Sequence, residues 1–384
     1  MTRFPLDKLN KLQTPFYYYD MDLLDETLSL VKRESEKYGF HVHYAIKANA
    51  NDRLLERIRD YGFGIDCVSG YEIQKAINVG FDPDGIVFAG VGKADWEIET
   101  GLRNDISCFN VESLPELEII NELAGKAGKK ARVAFRINPN VNADTHHYIT
   151  TGLDENKFGI SMPDLETVID RMEEMKNVRF EGMHFHIGSQ ITDLDNFKDL
   201  CIRINELQEW FFSRHLFPRI VNVGGGFGVD YEQPDQNPIS DFTPYFQVFR
   251  DFLNLKPGQV VHFELGRSVV AQTGNLMSRV LYVKEAVKTK FAILDAGMTD
   301  LLRPALYQAR HRIENISNPD GEKIRYDVVG PICESSDSFG KAVDLPQMRR
   351  GDLVAIRSAG AYGEVMVSRY NLREEPPAYY SDEL

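Results

Sequence analysis

A lysine at the end of a strand-like run, glycines gathered in one turn, and a glutamate followed closely by Gly-Arg are the residues of this chain whose types could do chemistry. Lys47 closes the run His41 to Ala48 (HVHYAIKA). By alternation Val42, Tyr44 and Ile46 share one face, while His41, His43, Ala45 and Lys47 share the other, so the lysine points where small and polar groups point. Burial disfavours an ammonium, and the free amine is the form that condenses with a carbonyl. Taken alone, a solvated edge-strand lysine is the competing reading. Gly224, Gly225, Gly226 and Gly228 stand in VNVGGGFG, and Gly266 with Arg267 in ELGR. Backbone N–H groups converging in such turns suit an anion, although a glycine run by itself also makes a plain tight turn. Glu264 is an acid two residues before Gly266. Its structural alternative is an ion pair with Arg267. His184 and His186 alternate in HFHIGSQ; His186 could lie against a planar ring, whereas His184 reads as a core histidine with satisfied hydrogen bonds.

These residues need a frame that brings them together. From residue 41 to 267 short β-branched or aromatic runs alternate with amphipathic, helix-length stretches. The runs are His41 to Ala48, Phe63 to Val68, Ile86 to Ala89, Ile106 to Val111, Arg132 to Asn138, Arg179 to His186, Ile220 to Val223 and Val260 to Leu265. Helical segments include Leu54 to Tyr61, Glu116 to Ala127, Leu165 to Glu174 and Phe197 to Trp210. Such alternation implies parallel pairing, and eight units in this length predict an α/β chain with a closed (β/α)8 TIM barrel. An open doubly wound sheet is the alternative, but no G-x-G-x-x-G follows the first run. Within the runs one face is apolar and the other polar: Arg132, Ala134, Arg136 and Asn138 oppose Val133, Phe135 and Ile137. His262 and Glu264 oppose Val261, Phe263 and Leu265. An interior built only for stability would hold Val, Ile and Leu, whereas this one gathers Lys47, Asp66, Arg136, His186 and Glu264 near the C-terminal strand ends, where such barrels keep their chemistry.

After residue 267 the pattern turns β-rich and punctuated by turns, with strands expected over Val269 to Thr273, Met277 to Val287, Phe291 to Asp295, Arg325 to Val329 and Asp352 to Ser358. The early aromatic run Phe16 to Asp20 is expected to join that sheet. The predicted division is a barrel over 28–267 and a β domain over 268–384 together with 1–27. The net charge of -14 argues against nucleic acid and anionic membrane as partners. No apolar run approaches a membrane span, and MTRFPLDKLNKLQTPF lacks an apolar signal core, so a cytoplasmic location is expected. Cys67, Cys108, Cys201 and Cys333 are widely spaced, without a zinc or redox motif. The H-x-H pairs at 41/43 and 184/186 raise a metal-dependent hydrolase, but His41 and His43 sit too deep for a metal at the barrel mouth; no metal is expected.

A phosphate nest after the seventh and eighth strands, an inward lysine and an inward acid suggest pyridoxal 5'-phosphate (PLP) as cofactor: its aldehyde needs an amine, its phosphate a backbone nest and its ring nitrogen an acid partner. YAIKAN around Lys47, HFHIGSQ, GGGFG, ELGR, DAGMTDLLRPALY (295–307), GPICESSD (330–337) and GAYG (360–363) together resemble the fold-type III PLP decarboxylases, and within them the diaminopimelate decarboxylase family. The motifs run in the family's order over nearly the whole chain. The resemblance implies that Lys47 binds the cofactor covalently, His186 stacks on its ring, Glu264 meets the pyridine nitrogen, and Ser189 with Gly224, Gly225 and Gly226 holds the phosphate. Asp66, Gly266, Arg267 and Tyr362 join the cofactor site; Arg267, Arg303, Tyr307, Glu334 and Tyr362 contact substrate. Cys333 becomes the proton donor, entering from the other subunit of a homodimer. The reaction implied is decarboxylation of meso-2,6-diaminopimelate to L-lysine. Arg303 with Glu334 supplies both signs of charge for a substrate end that bears a carboxylate and an ammonium, which ornithine or lysine as substrate would not need.

The chain departs from the family's usual pattern at Leu265, where proline is common, at Ser69-Gly70-Tyr71-Glu72, and at His146-His147. Rival readings are a decarboxylase of another basic amino acid or of carboxynorspermidine, and a non-catalytic PLP-binding regulatory protein. The polar stretch 138–159 is long enough to be a lid or an interface segment.

Overall fold

The structure, a computed structural model, describes residues 4–139 and 157–384. The stretch expected as a lid or interface segment, with His146 and His147, falls mostly outside the described residues. The chain divides into two compact units, Leu28–Gly228 with Asp241–Gly266, and Met1–Thr27 with Val229–Ser240 and Arg267–Leu384.

Strand β1 (Phe16–Tyr19) precedes the first unit, in which eight strands close a parallel barrel in sequence order. They are β2 (His41–Ala45), β3 (Gly64–Cys67), β4 (Ile86–Phe88), β5 (Cys108–Val111), β6 (Ala131–Arg136), β7 (Val178–His184), β8 (Ile220–Asn222) and β9 (Val260–Leu265). β9 returns to β2 with His41 opposite His262 and His43 opposite Glu264, which closes the ring. Outward side chains are apolar because helices cover them: Phe263 packs on Tyr245, Phe246 and Phe249 of the helix Phe242–Phe252. Burying each such ring stabilises the fold by about 1.5–3 kcal/mol. The helix Gly70–Val79 starts on a reciprocal cap, Ser69 Oγ accepting from Glu72 N and Glu72 Oε2 accepting from Val68 N. The Tyr71 departure falls on the exposed side of that helix, against Trp96.

Several of the expected strands are shorter than alternation suggests, and two of these bear on the candidate site. β2 stops at Ala45 and the chain turns through Ile46–Ala48 as a single 3₁₀ turn, so Lys47 is not a strand residue and owes its direction to that turn. The Tyr44 hydroxyl donates to Asn49 O across it, 2.9 Å away. β7 likewise stops at His184, leaving His186 in the following segment.

The second unit is a mixed sheet in the order β12-β15-β10-β11-β13-β14, with β1 antiparallel to β10 and parallel to β16. Its strands are β10 (Gly274–Glu285), β11 (Lys290–Leu294), β12 (Ile313–Asn315), β13 (Lys323–Val329), β14 (Ser338–Pro346), β15 (Leu353–Ile356) and β16 (Ala378–Tyr380). The aromatic run at 16–19 therefore does join this sheet. Val269–Thr273 is not a strand: a short helix, Arg267–Val270, comes first, and Thr273 Oγ1 donates back to Val270 O. β12, β14 and β16 carry no clear alternation and were not expected. Nor does 28–267 form one unbroken unit, because 229–240 groups with the β sheet. There Asp235 pairs with Arg357, and Asn237 O and Asp230 O accept from Gln272 Nε2. No helix among the described residues is long and apolar enough to cross a membrane.

Candidate active site

The barrel unit carries the first set of residues. The Lys47 Nζ donates to Asp66 Oδ2 at 3.1 Å, and Asp66 is fully buried at the end of β3. Burial and the nearby Glu264 charge raise the Asp66 carboxyl from its ordinary value to about 7, against the pull of Lys47. Its second oxygen, Oδ1, is buried with no hydrogen-bond partner among the described residues.

Glu264, on β9, has a different environment. Its Oε1 accepts from Asn222 Nδ2 at 2.8 Å and Asn110 Nδ2 at 3.3 Å, and its Oε2 from His184 Nε2 at 3.0 Å. Burial pushes this carboxyl up, but the imidazole of His184 and the amine of Lys47 outweigh it and hold Glu264 below the ordinary carboxylate range. His184 is thus in direct contact with the key acid, not a self-contained core histidine, and its Nδ1 has no partner among the described residues. Asn110 and Asn222 were missed from the sequence. Asn222 ends β8 and Asn110 is the last but one residue of β5, both on the inward face, a position where an asparagine has little reason to be unless it serves a polar partner.

His186 Nδ1 accepts from the Gly225 N–H at 3.4 Å, and burial with the neighbouring Arg136 and Lys47 charges keeps the ring neutral, well below the usual histidine range. Lower in the barrel His43 and His262 stack, the His43 Nδ1–H donating to Gly85 O and His262 Nδ1–H to His43 Nε2. These are filling, not ligands.

The glycine turn has two jobs. A Cβ on Gly224 would lie 2.1 Å from Phe185 O and one on Gly225 1.9 Å from Glu264 O, so neighbouring strand ends can approach only because side chains are missing. Ile191 N donates to Gly226 O and Gly228 N to Ile191 O, which ties the turn to the segment bearing Ser189. The Gly226 N–H has no acceptor among the described residues. An amine beside a buried carboxyl, an ionised acid held by donors, an unspent amide and an orphaned carboxyl oxygen fit pyridoxal phosphate.

The β unit carries the second set. Arg267 Nη1 donates to the Tyr231 hydroxyl at 2.7 Å and its guanidinium lies 4.8 Å from the Tyr362 ring centre. Arg303, in the short helix Arg303–Tyr307, donates from Nη1 to His311 Nε2 at 2.9 Å and faces the Tyr231 ring at 4.7 Å. Only 6% exposed, Arg303 has no carboxylate partner among the described residues. Tyr307, half-buried, closes its helix. Cys333 and Glu334 are exposed in the loop 330–337; Asn371 Oδ1 accepts from Cys333 N, and Glu334 Oε1 from the Tyr370 hydroxyl. Asp337 holds this loop by accepting from Ile332 N and Met298 N, both at 2.6 Å.

The family profile described as "Pyridoxal-dependent decarboxylase, pyridoxal binding domain" matches residues 24–271. A diaminopimelate decarboxylase of Bacteroides thetaiotaomicron is 60% identical over 382 residues, 99% of each chain. A diaminopimelate decarboxylase of Helicobacter pylori is 41% identical over 94% of this chain and 88% of its own length. The crystal structure of the Helicobacter pylori diaminopimelate decarboxylase complexed with L-lysine superposes with a TM-score of 0.92 at 38% identity, covering 98% of this chain and 94% of that one.

Proposed function

Since the chain belongs to the pyridoxal-dependent decarboxylases, and among them to the diaminopimelate decarboxylases, we propose that its two residue sets divide the work, the barrel holding the cofactor and the β unit choosing the substrate and returning the proton. The reaction is decarboxylation of meso-2,6-diaminopimelate to L-lysine and CO2, with pyridoxal 5'-phosphate as cofactor. When bound, the cofactor supplies an electron sink for the pair left behind by CO2. Lys47 Nζ is the amine that holds it, and Asp66 is poised near neutrality to exchange a proton with that amine. Glu264 keeps a proton on the ring nitrogen because its own charge is sustained by Asn110, Asn222 and His184. His186 covers the ring face. Gly226 N–H, with Ser189, Gly224, Gly225 and Gly266, binds the phosphate.

Arg303 binds the far carboxylate of the substrate and Glu334 its far ammonium, with Arg267, Tyr307 and Tyr362 completing the pocket. The observation that carries this reading is the buried Arg303 guanidinium, whose partners among the described residues are all neutral, since such a charge is sustained by an anion that those residues do not provide. Cys333 Sγ protonates the carbon that lost CO2. Its loop is exposed from 333 to 336, beside Tyr370 and a Leu372 that is 95% exposed, which suits a surface completed by a second copy of the chain. A homodimer follows. Free, widely spaced cysteines suit the reducing cytoplasm.

The test is CO2 release from meso-diaminopimelate, ornithine, arginine and carboxynorspermidine side by side. The first should exceed the others by ~100-fold or more in kcat/KM, a preference that Arg303→Gln abolishes. Faster release from any other substrate, or an unchanged preference in the variant, overturns the substrate assignment. Cys333→Ala should slow turnover by roughly 10²- to 10⁴-fold while L-lysine affinity holds, and an unchanged rate removes Cys333 as the donor.

A further inference from the structure

Arg303 and His311 are linked in a way that fixes which atom carries each proton. The guanidinium can only donate, so His311 Nε2, 2.9 Å from Arg303 Nη1, must be a bare lone pair. The other ring nitrogen, Nδ1, lies 2.8 Å from Arg357 O, which can only accept, so Nδ1 carries the hydrogen. A second proton on the ring would set N–H against N–H. Burial and the Arg303 charge agree, pressing the His311 pKa down to about 3. The Tyr231 ring meets His311 edge-on at 5.1 Å and receives Arg303 on its face. Arg303 is thus oriented by one imidazole and one phenol ring, and neither removes its charge.

From this geometry we infer that His311 is a positioning and specificity-determining residue, a neutral acceptor that aims Arg303 and leaves its full charge for the carboxylate of the bound amino acid. The inference rests on Arg303 as the carboxylate-binding residue, as proposed above. A carboxylate at position 311 would orient the guanidinium equally well but would satisfy it internally, and the pocket would lose its preference for a substrate end bearing an acid. Tyr231 lies in the segment 229–240 that groups with the β sheet, and it brings the ring on which Arg303 rests and the hydroxyl to which Arg267 donates. Nothing in the order of residues marks His311, which follows the RPALY motif without belonging to it.

The experiment compares equilibrium affinities of the holoenzyme for L-lysine and for pentane-1,5-diamine, which differ by one carboxylate, in wild type and in His311→Gln, His311→Leu and His311→Glu. A charge-assisted contact predicts a wild-type preference for L-lysine of about 10- to 100-fold. Gln keeps an acceptor without charge and should retain that preference within about threefold. Leu, which removes the acceptor, should lower it by about tenfold, and Glu should abolish it. If the Glu variant does not fold, Gln against Leu decides, since equal preferences in those two overturn the inference. An unchanged preference in His311→Glu overturns it as well. Arg303→Gln is the control: if it keeps the wild-type preference, the substrate assignment falls, whereas loss there with retention in the His311 variants removes only the role of His311.

Discussion

Arg303 and Arg357 lie in the same β unit and are almost equally buried, at 6% and 2% exposure, yet their surroundings differ in kind. Arg357 donates to Asp235 Oδ1 at 2.7 Å and Glu314 Oε2 at 2.8 Å, with Asn275 Oδ1 at its Nε. Its charge is cancelled within the fold. Arg303 has an imidazole and an aromatic face. The barrel repeats the contrast with the opposite sign: Glu181 is buried between Arg179 and Arg219, while Glu264 is held by two carboxamides and an imidazole. Removing a charge from water is expensive, and a counter-charge inside the chain offsets that cost at once. A buried charge held by neutral groups, as Arg303 is, leaves the offset to whatever binds, whereas Glu264 is held low by His184 and Lys47, groups of the candidate site itself. On the proposed assignment, the kind of partner, more than depth of burial, separates the ligand-facing residues from the structural ones.

The largest effect that would break this contrast comes from the two glutamates. Glu264→Gln keeps the shape but removes the charge and turns one donor–acceptor contact into a clash of N–H groups, so turnover should fall by about 10³-fold and cofactor affinity with it. Glu181→Gln should leave turnover within about twofold. Parallel kcat measurements and cofactor titrations decide, and comparable losses in both variants would mean that partner type carries no functional information. The arginines give the next effect, in stability. Arg357→Leu strips the counter-charge from Asp235 and Glu314 and should cost about 3 kcal/mol in urea unfolding, whereas Arg303→Leu should cost less than 1 kcal/mol or stabilise, because it removes a buried charge with no ionic partner among the described residues. An equal loss in both would place Arg303 among the structural arginines.

The barrel was legible in the sequence because period-two strands and intervening helices are local patterns, and all eight strands fall where the alternation puts them, give or take their ends. The ends are where it failed. Strict alternation carried β2 through Lys47, but pairing with β3 stops at Ala45 opposite Asp66, and the lysine is aimed by a turn that hydrophobic periodicity does not encode. Asn110, Asn222 and the contact of His184 with Glu264 were hidden for a related reason: each is one inward residue of a short strand, and its purpose appears only when four separate strands converge on one carboxylate. In the β unit the three-residue strands β12 and β16 are too short to show a period, and β14 mixes Gly340, Lys341 and Asp344 into its run. The roles of Tyr231 and His311 depend on tertiary contact with Arg303, which no spacing announces.

The smallest expected effect sharpens the contrast within the barrel itself, where two buried carboxylates respond to pH in opposite directions. Asp66 is raised from 3.8 to about 7 by burial and Glu264, so the folded chain holds its proton more tightly than the unfolded one. The stability this brings is complete below about pH 4, declines as pH rises, and is gone above about pH 7, with a slope of at most about 1.4 kcal/mol per pH unit. Glu264 is held below its ordinary value, so its contribution is present above about pH 4.5 and is lost only in stronger acid. Between pH 5 and pH 7 the Glu264 contribution is therefore nearly constant while that of Asp66 falls. Urea midpoints of the cofactor-free protein at these two pH values should show wild type losing about 1–2 kcal/mol more on going up than Asp66→Asn does, because the asparagine carries no proton to lose. Identical pH responses in the two proteins would mean that Asp66 is already ionised beside Lys47 at pH 5, and the proton exchange proposed between them would then have no acid to draw on.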